Sequence, residues 1–159
     1  METRQINLPL DTARRWYEQG GELREMALGA YSEQELIGDR LPKTWEEYRK
    51  MKGDEGEKAN AALSFAYTSI NGAFPDYHDV EKHIAKMKLH LLRDDYRNGW
   101  KPDWKDGNQG KYVIESSKDE CYVAKYKYIS SFLAFQDEKT ANEFLTNFRE
   151  LIEEAGDLI

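Results

Sequence analysis

Apolar residues recur along the chain in two periods, and each change of period marks a new element. Ile6, Leu8 and Leu10 alternate with polar neighbours, which predicts a short first strand. Asp11 is placed to cap a helix carrying Ala13, Trp16 and Tyr17, and Gly20-Gly21 stops it. Leu23, Met26, Ala27 and Ala30 have the spacing of a second helix. Ser32 and Glu35 form a capping box, with Tyr31 and Leu36 where a hydrophobic staple would sit. Thr44 and Glu47 repeat the box after Pro42 and open a short helix with Trp45 and Tyr48. Residues 51–60 are rich in Lys, Gly and acids and read as an exposed loop. From Ala61 to Phe74, Phe65, Tyr67 and Ser69 alternate with Ala66, Thr68 and Ile70 ahead of an Asn71-Gly72 turn. A strand or ordered loop is expected there.

Residues 79–98 carry the most information. At about 100° per residue they show two apolar stripes. Val80, Ile84, Met87 and Leu91 share one line, and Ala85, Leu89, Leu92 and Tyr96 share another. The two lines lie about 140° apart, and Lys82, Lys86, Arg93 and Arg97 fall on the wet arc between them. Such a helix needs two covers. One is a sheet. The other is the N-terminal helices or a second copy of the chain, and the N-terminal helices are favoured.

Gly99 and Pro102 end this helix, and Asp106-Gly107 makes a turn. Lys111–Glu115, Cys121–Ile129 and Phe132–Phe135 then read as strands joined by short connections, hence an antiparallel meander. In the second strand Tyr122, Ala124, Tyr126 and Tyr128 share a face, the one expected to receive a helix. Asp137 caps that final helix. Its Ala141, Phe144, Leu145, Phe148, Leu151, Ile152 and Ala155 fall on one side, and Gly156 ends it. The expected fold is α+β: an antiparallel sheet of three to five strands, a C-terminal amphipathic helix on one face, a long central helix and short N-terminal helices. One domain is expected over 1–159, helical to residue 50, irregular over 51–77, and completed by 78–159.

Composition narrows the function classes. The 159 residues are 40% apolar and 33% charged, too apolar for disorder and too charged for a membrane protein. Thirty acids against 23 bases give a net charge of −7, which argues against broad nucleic-acid binding. The single cysteine, Cys121, excludes an internal disulfide and reads as a small apolar side chain in a strand. With no signal-peptide pattern and no long apolar run, a cytoplasmic location is expected. A glycine-rich phosphate loop, a nucleophile elbow and a Cys–His pair are all missing from the sequence, so an enzyme is not expected.

Leu91-Leu92-Arg93-Asp94, then Tyr96, then Gly99-Trp100-Lys101-Pro102-Asp103-Trp104 resembles a signature of small proteins encoded by gut Bacteroidales and by their phages and mobile elements. The likeness extends to Ala13–Tyr17, Ala27-Leu28, Ser32–Leu36 and the close, Phe132–Phe135 with Asn142–Leu145, Asn147-Phe148 and Leu151-Ile152. It implies a genetic setting, a phage or mobile element in a bacterial host cell, and no chemistry.

Three sets of residues are candidate sites. Trp100 and Trp104, flanking Pro102 with Lys101, Asp103 and Lys105 interspersed, can make an aromatic platform or simply pin a loop corner. Lys125, Tyr126 and Lys127, with Tyr128, alternate charge and ring as single-strand binders do, or as an ordinary protected edge does. Asp76, His78, Asp79 and His83 have a spacing that can hold a metal, although an acid-capped helix start explains it as well, and no metal or cofactor is expected. The function expected is protein–protein contact, with a host or phage protein or by self-assembly into a homo-oligomer. A nucleotide or other small molecule as ligand is the alternative.

Overall fold

The computed structural model describes residues 8–38, 40–70, 77–116 and 120–159. The chain forms two compact units, residues 1–40 and 41–159. Among the described residues it is an α+β protein, with seven α-helices and one three-stranded antiparallel sheet.

The first unit holds α1 (Leu10–Gln19), α2 (Gly21–Ala30) and α3 (Glu33–Ile37). Leu8 and Leu10 are not in a strand, and Ile6 lies outside the described residues. Leu10 instead joins Ala13 and Tyr17 at helical spacing. The cap is Pro9 rather than Asp11, its carbonyl accepting from the Thr12 and Ala13 N–H groups. Ala13, Tyr17, Ala27, Leu36 and Ile37 are the unit's buried apolar residues on these helices. The expected capping box forms: the Glu35 N–H donates to Ser32 Oγ at 3.3 Å, and the Ser32 N–H donates to the Glu35 carboxylate at 2.9 Å. The Ser32 hydroxyl, donating to the same carboxylate at 2.6 Å, and then the Ser32 N–H hold the Glu35 carboxyl below its ordinary pKa. The Arg14 guanidinium donates twice to the Glu35 carbonyl, tying α1 to α3.

The second unit begins with a helical hairpin, α4 (Trp45–Lys52) and α5 (Asp54–Ile70). Thr44 Oγ1 accepts from the Glu47 N–H at 3.1 Å, and the Glu47 carboxylate reaches back one residue further, to the Lys43 N–H. Gly53, at φ 52°, makes the break. Helix α5 overturns both the loop expected over 51–60 and the strand or ordered loop expected beyond it, as far as Ile70. Residues 71–74 lie outside the described residues. Its buried stripe is narrow, Ala59, Leu63, Ala66 and Tyr67, while Phe65 is 73% exposed. The apparent alternation of aromatics therefore does not mark a pleat. Ser64 and Thr68 bond back to carbonyls one turn earlier, which satisfies their hydroxyls inside a helix. Trp45 Nε1 donates to Asn60 Oδ1 at 3.2 Å across the hairpin.

Helix α6 (Tyr77–Arg97) follows, and Asn98 and Gly99, both at positive φ, end it. Ala85, Leu89, Leu92 and Tyr96 are almost fully buried, packed on α7 (Glu138–Ala155). The sheet comprises β1 (Lys111–Ser116), β2 (Cys121–Tyr126) and β3 (Ala134–Phe135), in the order β2-β1-β3. It is antiparallel, as expected, but not a meander. The chain crosses from β2 to the far side of β1, where Tyr112 and Val113 pair with Phe135 and Ala134. Strand β2 ends at Tyr126, short of the expected Ile129.

The faces of β2 are also the reverse of those expected. Cys121 and Val123 pack into the core with Ile114 and α7, whereas Tyr122 and Tyr126 lie on the opposite face. The core needs small and branched side chains here because α7 already supplies Phe144 and Phe148. Asp137 caps α7 through the Thr140 N–H at 2.8 Å, and its expected face is buried, Leu151 partly so.

Candidate functional site

The two indoles of the Trp100–Trp104 loop have different neighbours. The Trp104 ring lies 5.6 Å from the Lys111 ammonium. Lys111 is fully buried, and its three donors go to the carbonyls of Asp106, Gln109 and Lys127. The bonding of that ammonium is therefore internal, with the carbonyls and Trp104 as its structural shell. Asp103 stabilises its own loop, accepting from the Lys105 N–H at 2.9 Å and donating from its N–H to Gln109 Oε1. Lys101 is exposed.

In the Lys125–Lys127 segment, Lys125 lies 5.3 Å from the Tyr112 ring, and Tyr126 is half-buried on the other face. Lys127 is exposed, and its carbonyl serves Lys111. Glu115 accepts from the Tyr122 hydroxyl at 2.6 Å, and its hydrogen bonds hold the phenols of Tyr122 and Tyr126 above their ordinary pKa. Lys111 thus brings Trp104 and Lys127 together structurally, whereas Trp100 looks elsewhere. Of the histidine set, Asp76 lies outside the described residues, and His83 Nδ1 bonds the Asp79 carbonyl at 2.7 Å. Among the described residues no group of three or more His, Cys, Asp or Glu can hold a metal ion.

Trp100 stands beside Arg97, whose guanidinium is 5.8 Å from the indole. Arg93 and Arg97 do not sit on a wet arc. Arg93 is 8% exposed and Arg97 half-buried, because both reach over β3 to bond its approach. Arg97 donates to the Ala134 and Phe132 carbonyls at 2.7 and 3.2 Å, and Arg93 donates to the Phe132 carbonyl at 3.3 Å. Arg93 also pairs with Asp94 at 2.7 Å. Burial, then the neighbouring Arg93 charge, pulls the Arg97 pKa down to about 10.

The second apolar stripe of α6 is only partly covered. Val80 is fully buried and Ile84 and Leu91 are half-buried, but Met87 is 41% exposed. The cover comes from α5, with α4 also touching α6. Of the helices expected over residues 1–50, α4 therefore takes part, while the larger share falls to a helix where none was expected. Between α5 and α6 an apolar groove of about 690 Å³ stays open. Ala59, Ala62 and Leu63 form one wall, Met87 and Leu91 the other, and Phe132 closes an end. Its ionisable lining residues are His83, Lys86 and His90, and no acid lines it. Lys86 and Arg93 hold cations 5.3 and 4.6 Å from the Phe132 ring. The sequence reading found the stripe but not the groove, since the opposing wall is α5.

No helix among the described residues is long and apolar enough to cross a membrane. Compared with protein-family models, curated proteins and solved structures, the chain matches none.

Proposed function

We propose that the protein acts by binding another protein rather than by catalysis, and that its docking surface is the groove between α5 and α6. The open apolar floor carries this reading: exposed Met87 continues a stripe whose other members are buried or half-buried. From His83 to Leu91 the groove runs along about 12 Å of helix, enough for roughly two turns of a partner helix. The basic lining without acids favours a partner helix whose apolar edge is flanked by Asp and Glu. The resemblance of residues 91–104 to proteins of Bacteroidales, their phages and mobile elements supports seeking that partner in a bacterial cell.

A labelled helical peptide with Leu at positions i, i+4 and i+7 and Glu on both flanks tests the reading by fluorescence anisotropy. Met87→Glu and Ala62→Glu change exposed wall positions, so circular dichroism should stay as it is. Each variant should weaken binding at least tenfold, and a Lys-flanked peptide should not bind. Equal binding by wild type and Met87→Glu defeats the proposal. So does concentration-dependent light scattering that shows the groove filled by a second copy.

A further inference from the structure

The geometry points to a second, separate site: a pocket at the C-terminal end of α6 that takes a nucleoside phosphate, its phosphate on Arg97 and Lys101 and its base on Trp100. The pocket measures about 500 Å³ and is lined by Arg93, Asp94, Arg97, Trp100, Lys101 and Pro102, among others. That volume suits a mononucleotide. Three of these side chains are cations and only Asp94 is an anion. Asp94 is committed to Arg93, whose guanidinium it meets with two bonds at 2.9 and 2.7 Å.

Arg97 makes no ion pair among the described residues. Its partners are two backbone carbonyls and the Trp100 ring. Two of its five N–H groups are used on those carbonyls, which leaves donors and a full charge for an incoming anion. Carbonyls orient a guanidinium without neutralising it. Burial first, and then the Arg93 charge, lowers the Arg97 pKa, and an incoming anion would raise it again. Beside this charge the indole of Trp100 and the ring of Pro102 offer flat apolar surface, which a bare inorganic anion would not use. A ligand joining a phosphate to a planar base uses both halves.

This site does not depend on the groove, and the two readings fail separately. Isothermal titration of the full chain with adenosine and guanosine mono- and diphosphates, against adenosine and inorganic phosphate, tests it. Arg97→Gln would also release the Ala134 and Phe132 carbonyls and threatens the fold. Exposed Lys101→Gln therefore carries the charge test, and Trp100→Leu the ring test. At least one nucleotide should bind with at least tenfold higher affinity than adenosine or inorganic phosphate. Its Kd should rise at least fivefold in each variant and stay unchanged in Met87→Glu. Absence of heat with every nucleotide, equal affinity for inorganic phosphate, or an unchanged Kd in either Lys101→Gln or Trp100→Leu overturns the assignment.

Discussion

Removing one oxygen atom, by Tyr96→Phe, tests how α6 is held. Tyr96 is 3% exposed, and its ring meets Phe144 and Phe148 edge-on at 5.0 and 5.7 Å. Its hydroxyl donates to the Pro42 carbonyl at 2.9 Å and accepts from Asn147 Nδ2 at 2.8 Å, joining the approach to α4, α6 and α7 at one atom. The variant keeps the ring packing and strips both bonds. Asn147 is partly exposed and can turn to water, but Pro42 is buried, so its carbonyl carries most of the penalty. The expected loss is about 1–2 kcal/mol, or roughly 2–8 °C in Tm.

The pH dependence gives an independent readout. Burial pushes the Tyr96 phenol up to about 12, against 10.0 when unfolded. The folded state favours the protonated form, so this contribution is whole below pH 10 and is lost as pH rises toward 12. It amounts to about 2–3 kcal/mol, of which roughly half is gone by pH 11. Tyr17, Tyr48 and Lys52, also raised, add to alkaline loss in both proteins, so the difference between wild type and variant isolates Tyr96. Urea unfolding at pH 7, 9 and 11, with amide exchange read on α6 and α7, measures it. A variant that matches wild type within about 0.5 kcal/mol (half the smallest expected loss) at pH 7 and falls in parallel with it to pH 11 refutes the argument.

Two further substitutions probe the helices around the sites. At Gly56 an added Cβ would sit 2.7 Å from Arg49 Cα and closer still to its carbonyl, so Gly56→Ala should cost about 1–3 kcal/mol despite alanine's better helix propensity, read as a lower urea midpoint. Ser32→Ala should cost about 1 kcal/mol by removing the α3 cap. Wild type also has a Glu35 contribution that is present above the unfolded carboxyl pKa and lost as pH falls through the lowered folded value. Acid titration of the Glu35 carboxyl by NMR should show that value rise in the variant, part of the way to normal, since the residue-32 N–H still donates to it.

The helices with wide apolar faces were legible. Residues 79–98 and the run from Ala141 to Ala155 each repeat the helical period over several turns, and Ser32 and Thr44 both cap with the expected hydroxyls. Helix α5 was not legible because it buries few large side chains and leaves Phe65 in water, so its strongest pattern comes from residues that do not pack. Parity along β2 shows which side chains share a face but not which face is inner. Short connections do not reveal that the chain crosses β1. Arg93 and Arg97 were misplaced because helical phase alone cannot show that carbonyls of a distant strand will come to meet a long cationic side chain. Their spacing of four, just before Trp100, is the signal that bears on the pocket.

Around the axis of helix α6, the residues that hold the fold and those that line the groove and the pocket lie at different angles. The stripe through Leu89 and Tyr96 fixes it to α7, the stripe through Met87 faces the groove, and Arg93 and Arg97 on its last two turns line the pocket. A change at Met87 or Lys101 therefore need not disturb the core, so either surface can vary while the fold stays. Charge divides in the same way. The chain carries −7 overall, yet Lys86 is the groove's charged lining residue and the pocket gathers Arg93, Arg97 and Lys101. Fields from exposed charges fade beyond about 8–10 Å at ordinary ionic strength. The acidic partner proposed for the groove would therefore be repelled at long range and attracted only on contact. On the proposed reading, recognition at these surfaces would rest on close fit more than on long-range attraction.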